Sequence, residues 1–147
     1  MSKYNYNMNR DNTIYIIGRI REKANKFLLK ELEEIGIKDV APSHGDILAN
    51  LFKCKKATMT EIANLIHRDR STVTTLVNKL IKLGYVLSER DINDSRSSII
   101  SLTKKGEELE TAFKEISQKL YEVEYKGFTE EEKMVLKNLL NKINNNF

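Results

Sequence analysis

The strongest constraint on this chain lies between Thr60 and Leu102, where two short apolar helical patterns meet across a polar turn and run into an alternating pair. Ile62, Ala63, Leu65 and Ile66 form the buried face of a short helix for which Thr60 is the expected N-cap. His67-Arg68-Asp69-Arg70 is too polar to carry that helix further inward. Asp69 suits a new helix start, because its carboxylate can accept the free amide hydrogens of the following turn. Val73, Leu76, Val77, Leu80 and Ile81 then recur at three- and four-residue steps, and Gly84 supplies a stop. Tyr85 to Arg90 and Ser97 to Leu102, joined by the polar Asp91 to Arg96, read as a two-stranded hairpin with an exposed tip.

Helices flank this segment on both sides. From about Thr13 to Ile35, the residues Ile17, Ile20, Ala24, Phe27, Leu28 and Leu32 make one apolar stripe, ended by Gly36. Pro42-Ser43 opens a second helix, with Ser43 as expected N-cap, Asp46 in a weak capping-box position, and Ile47, Leu48, Leu51 and Phe52 inward. A minor strand is expected at Ala57 to Met59. Thr103 begins a fifth helix with the stripe Leu109, Ala112, Phe113, Ile116, Leu120 and Val123, broken by Gly127. Thr129 and Glu132 form a capping box for a last helix that is expected to bury Val135, Leu136, Leu139, Leu140 and Ile143. The predicted order is ααααββαα, mainly α with a small β-hairpin.

Composition narrows the class. At 147 residues, 40% hydrophobic and 31% charged, the chain fits one folded domain with extensions rather than a disordered one. No apolar run approaches the roughly 20 residues needed to span a bilayer, so no membrane partner is expected. Met1 to Asn12 is polar, without a signal-peptide core. Cys54 is the single cysteine, which rules out an intramolecular disulfide and makes a reducing, cytoplasmic setting the expectation. Charge is unevenly spread. Residues 53–105 hold 11 Lys/Arg against 5 Asp/Glu, whereas residues 106–147 hold 6 against 9. A basic middle third suits a chain that meets phosphate there, although a merely solvated basic surface gives the same count.

A capped helix, a tight turn, a second capped helix and a hairpin form the winged helix-turn-helix order. In that arrangement the second helix enters the major groove of DNA. Its apolar stripe leaves Arg70, Ser71, Thr72, Thr74, Thr75, Asn78 and Lys79 facing outward. Arg can bridge guanine acceptors, Asn can pair with adenine, and Thr methyls can meet thymine methyls. Hydroxyls and helix-start amides can hold phosphate. That face carries no acid after Asp69. The same residue types also make an ordinary solvated helix exterior, and it is the hairpin that shifts the balance toward DNA.

Residues 58–106 resemble the MarR family of regulators. The resemblance is carried by Thr60-Glu61-Ile62-Ala63, Asp69-Arg70-Ser71-Thr72-Val73-Thr74, Leu76-Val77, Leu80 and Leu83-Gly84-Tyr85-Val86. Its most specific part is the wing, Arg90-Asp91-Ile92-Asn93-Asp94-Ser95-Arg96, followed by Leu102-Thr103-Lys104-Lys105-Gly106. The resemblance implies a DNA-binding transcriptional regulator, expected to be a repressor of palindromic sites. Arg96 is implied to enter or border the minor groove, with Asp94 orienting it and Arg90 at the base of the wing. It further implies a homodimer, with residues 1–40 and 103–147 supplying the dimerisation helices around a DNA-binding domain at 41–102. Ile92 and Ser95 depart from the family pattern, where Pro and a second Arg are common.

The family often answers to small aromatic or phenolic effectors held between the two lobes. Tyr15, Phe27, Phe52 and Phe113 are the candidate lining, although aromatics at helical spacing are more often core. Two histidines, His44 and His67, with one cysteine give no zinc site. No cofactor and no catalytic constellation is expected. Cys54, beside Lys53, Lys55 and Lys56, raises a thiol-based redox sensor as an alternative, against an ordinary small residue. A winged-helix module that binds protein rather than DNA is the other alternative.

Overall fold

The computed structural model describes residues 11–147, so nearly all of the polar opening stretch read above lies outside the described residues. The elements run α1 (Thr13–Glu34), α2 (Pro42–Cys54), β1 (Lys56–Thr58), α3 (Met59–Ile66), α4 (Arg70–Lys82), β2 (Val86–Arg90), β3 (Ser98–Leu102), α5 (Lys104–Glu107), α6 (Glu110–Glu124) and α7 (Glu130–Asn144). The expected helical order with a hairpin is present, and the minor strand joins the hairpin to make a three-stranded antiparallel sheet in the order β1-β3-β2. Ala57 lies opposite Ile100, Val86 opposite Leu102 and Arg90 opposite Ser98.

Two caps differ from the sequence reading. Pro42 takes the first helical position of α2, so Ala41 rather than Ser43 is its N-cap. Ala41 has no side-chain acceptor to offer. Its own N–H donates to Nδ1 of His44 at 2.8 Å, the part expected of Asp46. In α3 the cap is Thr58, not Thr60, because β1 turns straight into the helix. Thr58 Oγ1 accepts the Glu61 N–H at 3.1 Å, and the Glu61 carboxylate accepts the Thr58 N–H at 3.0 Å. Such a reciprocal pair satisfies two amides that a helix start otherwise leaves open.

Packing centres on the two short helices and the hairpin between Met59 and Leu102. Ile47, Leu48, Leu51 and Phe52 of α2, Ile62 and Ala63 of α3, and Val73, Val77 and Leu80 of α4 close over Tyr85, Val86 and Ile100. Burying each of the larger aliphatic side chains contributes about 1.5–3 kcal/mol. A smaller cluster of Leu32, Ile37 and Ile116 fastens α1 to α6. Leu65, expected inside, is 47% exposed, and Ile81 is also exposed. Both sit at the edge of stripes whose centres are covered.

The expected fifth helix is interrupted after α5 by a tighter turn, in which the Leu109 N–H donates to Gly106 O three residues back. The start of α5 clasps the link between α4 and β2. Three successive carbonyls of that link accept hydrogen bonds: Leu83 O from Lys105 Nζ at 2.9 Å, Gly84 O from Thr103 Oγ1 at 2.6 Å, and Tyr85 O from the Thr103 N–H at 3.0 Å. The link can present them in a row because Gly84 adopts a φ of 82°. Gly106 is the close-approach point of the clasp. A side-chain carbon there would overlap the Tyr85 carbonyl oxygen.

The last helix departs most from expectation. None of its residues is buried in the single chain, and Val135, Leu139 and Leu140 are exposed, Leu139 by 52%. The early part of α1 likewise leaves Ile14, Tyr15, Ile16 and Ile20 exposed. The periodicity marks these faces as apolar, and among the described residues nothing covers them.

Candidate nucleic-acid interface

The turn between α3 and α4 is built by backbone geometry that the polar run allows. His67 ends α3 in the left-handed region at φ 55°, and the Arg68 N–H returns to Ala63 O at 3.0 Å. Asp69 then caps α4 as expected. Its carboxylate accepts the Thr72 N–H at 2.8 Å, the Ser71 hydroxyl at 2.6 Å and the Thr72 hydroxyl at 3.0 Å. These three donors, led by the Ser71 hydroxyl, pull the Asp69 pKa down to about 2.

With Val73, Val77 and Leu80 buried, α4 turns its opposite side outward. Arg70, Ser71, Thr74, Thr75 and Asn78 are exposed there, while Thr72 and Lys79 are half-buried. The hydroxyls are not idle. Thr74 Oγ1 donates to Arg70 O at 2.9 Å and Thr75 Oγ1 to Ser71 O at 3.2 Å, and those of Ser71 and Thr72 are spent on Asp69. Each hydroxyl keeps its acceptor lone pairs, and the threonines keep their methyls for apolar contact. Among the described residues, the donors on this face free of internal bonds are Arg70, Asn78 and Lys79, so the face reads less as a hydroxyl carpet than the sequence suggests.

The wing consists of β2, β3 and the tip between them. Its tip is held by main-chain and carboxylate bonds: Asp91 N–H to Ser97 O at 2.9 Å, Ser97 N–H to Asp94 O at 3.0 Å, and Asn93 N–H to Asp91 Oδ1 at 3.0 Å. Asp94 Oδ1 accepts the backbone N–H of Arg96 at 3.0 Å. Among the described residues no ion pair joins their side chains, so Asp94 shapes the loop rather than gripping the guanidinium. Arg90, Asp94 and Arg96 are all exposed. The loop lies where the sequence places it, and the Asp94 carboxylate meets the Arg96 backbone rather than its side chain.

The four candidate effector-lining aromatics do not come together. Phe52 is buried in the main core, edge-on to Phe113 with ring centroids 5.4 Å apart, whereas Tyr15 stands exposed near the start of α1. An open groove of about 400 Å³ lies elsewhere, between Phe128, Glu131, Glu132, Val135 and Leu136. Cys54 is exposed at the end of α2. His44, which the sequence reading weighed only as a metal ligand, is instead a buried helix-capping group whose Nε2 has no partner. Among the described residues no cluster of His, Cys, Asp or Glu is placed to hold a metal, and no helix is long and apolar enough to cross a membrane.

The segment just described, from the start of α2 through the two helices and the wing into α6, is also what known proteins share. Residues 43–116, half of the chain, match the family model described as transcriptional regulator SarA/Rot. The chain belongs to the SarA/Rot family of transcriptional regulators. This SarA/Rot member is 30% identical over 93 residues to the HTH-type transcriptional regulator SarZ of Staphylococcus epidermidis, a match spanning 63% of this chain and 62% of SarZ. Its fold extends the likeness to nearly full length. A MarR protein from Peptoclostridium difficile superposes with a TM-score of 0.86 at 25% identity, covering 99% of this chain and 94% of the other. The Staphylococcus aureus MepR–DNA complex gives 0.85 at 24%, covering 94% of this chain and 100% of MepR. The winged-helix MarR resemblance carried by residues 58–106 is therefore borne out, within a family of regulators rather than enzymes.

Proposed function

We propose that this SarA/Rot member regulates transcription by binding duplex DNA as a homodimer, with α4 in the major groove and the wing over the adjacent minor groove. The observation that carries the reading is the outward face of α4. It is acid-free after its capping residue, largely exposed among the described residues, and flanked by a protruding loop with two arginines. Arg70 and Asn78 are the candidates for base-edge contacts, Ser71, Thr72, Thr74, Thr75 and Lys79 for methyl and phosphate contacts, and Arg96 for the minor groove. Repression of palindromic sites follows if two copies present their α4 helices about 34 Å apart on one face of the duplex.

The dimer reading is supported by the uncovered apolar residues of α1 and α7, which a second copy would shield by pairing the same surfaces across a two-fold axis. On this reading residues 1–40 and 103–147 flank a DNA-binding unit at 41–102.

A titration of duplex binding against salt tests the proposal. Affinity should fall steeply as salt rises, because neutralised phosphates release counterions. Arg96→Ala should weaken binding by more than about tenfold and flatten the salt slope by about one unit. A variant with wild-type affinity would remove the wing from the mechanism. Sedimentation of the free protein as a monomer at micromolar concentration would remove the dimer.

A further inference from the structure

Ile92 is fully exposed, at 100%, at the tip of the wing. It is not loosely hung there. Asp91 and Asp94, on either side, have their carboxylates bound to the N–H groups of Asn93 and Arg96, and Asp91 and Ser97 close the loop by main-chain bonds. A β-branched side chain also has few rotamers to lose when something packs on it. The tip therefore presents a stiff aliphatic group at the most forward point of a protruding hairpin.

The charges around it give that group a purpose. From Arg90 to Arg96 the loop carries two arginines and two aspartates, so its formal charge is zero, and Glu89 brings the whole wing to −1. Attraction to phosphate alone gives such a loop little net pull toward DNA. The walls of a minor groove are lined by deoxyribose C–H groups, and proteins that enter it often use aliphatic side chains beside arginine. Resting on the DNA-binding reading above, we infer that Ile92 is a positioning contact that packs against the sugar walls of the minor groove and so seats Arg96. The wing then uses apolar contact where most DNA-facing loops use extra cations.

The test uses the full chain and a duplex that the wild-type protein has selected from a random-sequence pool. Binding is followed by anisotropy over a salt series, with hydroxyl-radical footprinting of the minor groove. Ile92→Ala and Ile92→Asn should each bind about five- to tenfold more weakly, with the wild-type salt slope. Protection should be lost at the sugars under the wing and kept under α4. Ile92→Leu should stay within about twofold of wild type. Because Ile92 is fully exposed, all three variants should melt with the wild-type protein. Alanine and asparagine variants with wild-type affinity and footprint overturn the assignment while leaving DNA binding intact, as does a loss that appears only as a changed salt slope. Wild-type protein that holds no duplex at low salt overturns the DNA-binding reading itself.

Discussion

Gly106→Ala sets two effects of opposite sign against each other, and the structure decides between them. Residue 106 lies within α5, where alanine is favoured over glycine by about 1 kcal/mol on helix propensity. The added carbon would, however, overlap the Tyr85 carbonyl oxygen, fall 3.0 Å from the Tyr85 carbonyl carbon and 3.2 Å from Leu102 Cδ2. The leucine can rotate away. The carbonyl cannot, because it accepts the Thr103 N–H at 3.0 Å and its neighbours accept from Thr103 Oγ1 and Lys105 Nζ. Overpacking against fixed backbone falls at the upper end of the usual range, about 3 kcal/mol. The clash wins by about 2 kcal/mol. For a chain of this size that lowers the melting midpoint by roughly 4–8 °C. Calorimetry at one fixed protein concentration measures it, since self-association would otherwise shift the midpoint. Gly45→Ala is the control, because there the new carbon would meet only Phe113 Cε2 at an ordinary 3.8 Å and should stabilise by about 1 kcal/mol. A Gly106→Ala protein as stable as wild type would refute the claim that α5 is clasped to the α4–β2 link.

Two further perturbations follow from backbone and burial. Lys55 closes α2 with a positive φ of 69°, so Lys55→Gly should raise stability by up to about 1 kcal/mol in urea denaturation. Burial holds the His44 pKa below its ordinary value of 6.5, and the Ala41 N–H occupies the Nδ1 lone pair that a second proton would need. The unfolded chain therefore takes up the proton first, and stability is full above about pH 6.5 and declines as pH falls toward the folded-state value. Urea midpoints between pH 8 and pH 5 should show the decline, and His44→Gln should remove that part of it.

Much of the fold was legible because cap chemistry is local. Asp69, Thr103 and Thr129 cap their helices as read, since a short oxygen-bearing side chain before an apolar period has few other uses. Thr58 was missed although Thr58-Met59-Thr60-Glu61 carries the capping-box spacing, because a threonine two residues later competed for the role. His44 was missed for a different reason: nothing in its neighbours marks an imidazole as a backbone acceptor. The break after α5 depends on contact between Gly106 and Tyr85, residues far apart in sequence, and no local period reports such a contact. The stripe of α7 was read correctly as apolar and wrongly as buried within one chain. Within the site, exposure of Arg70 and Asn78 follows from helical period, and that of Arg96 from the polar tip of the hairpin. The internal bonds of the four hydroxyls and the backbone role of Asp94 needed coordinates.

The three-carbonyl clasp also makes the molecule behave as geared parts. Because β2 leaves, and β3 returns to, the same bonded joint, a tilt of the wing would strain the bonds that also anchor the start of α5. A change in how α5 lies would thus reach the loop bearing Ile92 and Arg96 as a change of aim rather than as a loss of structure.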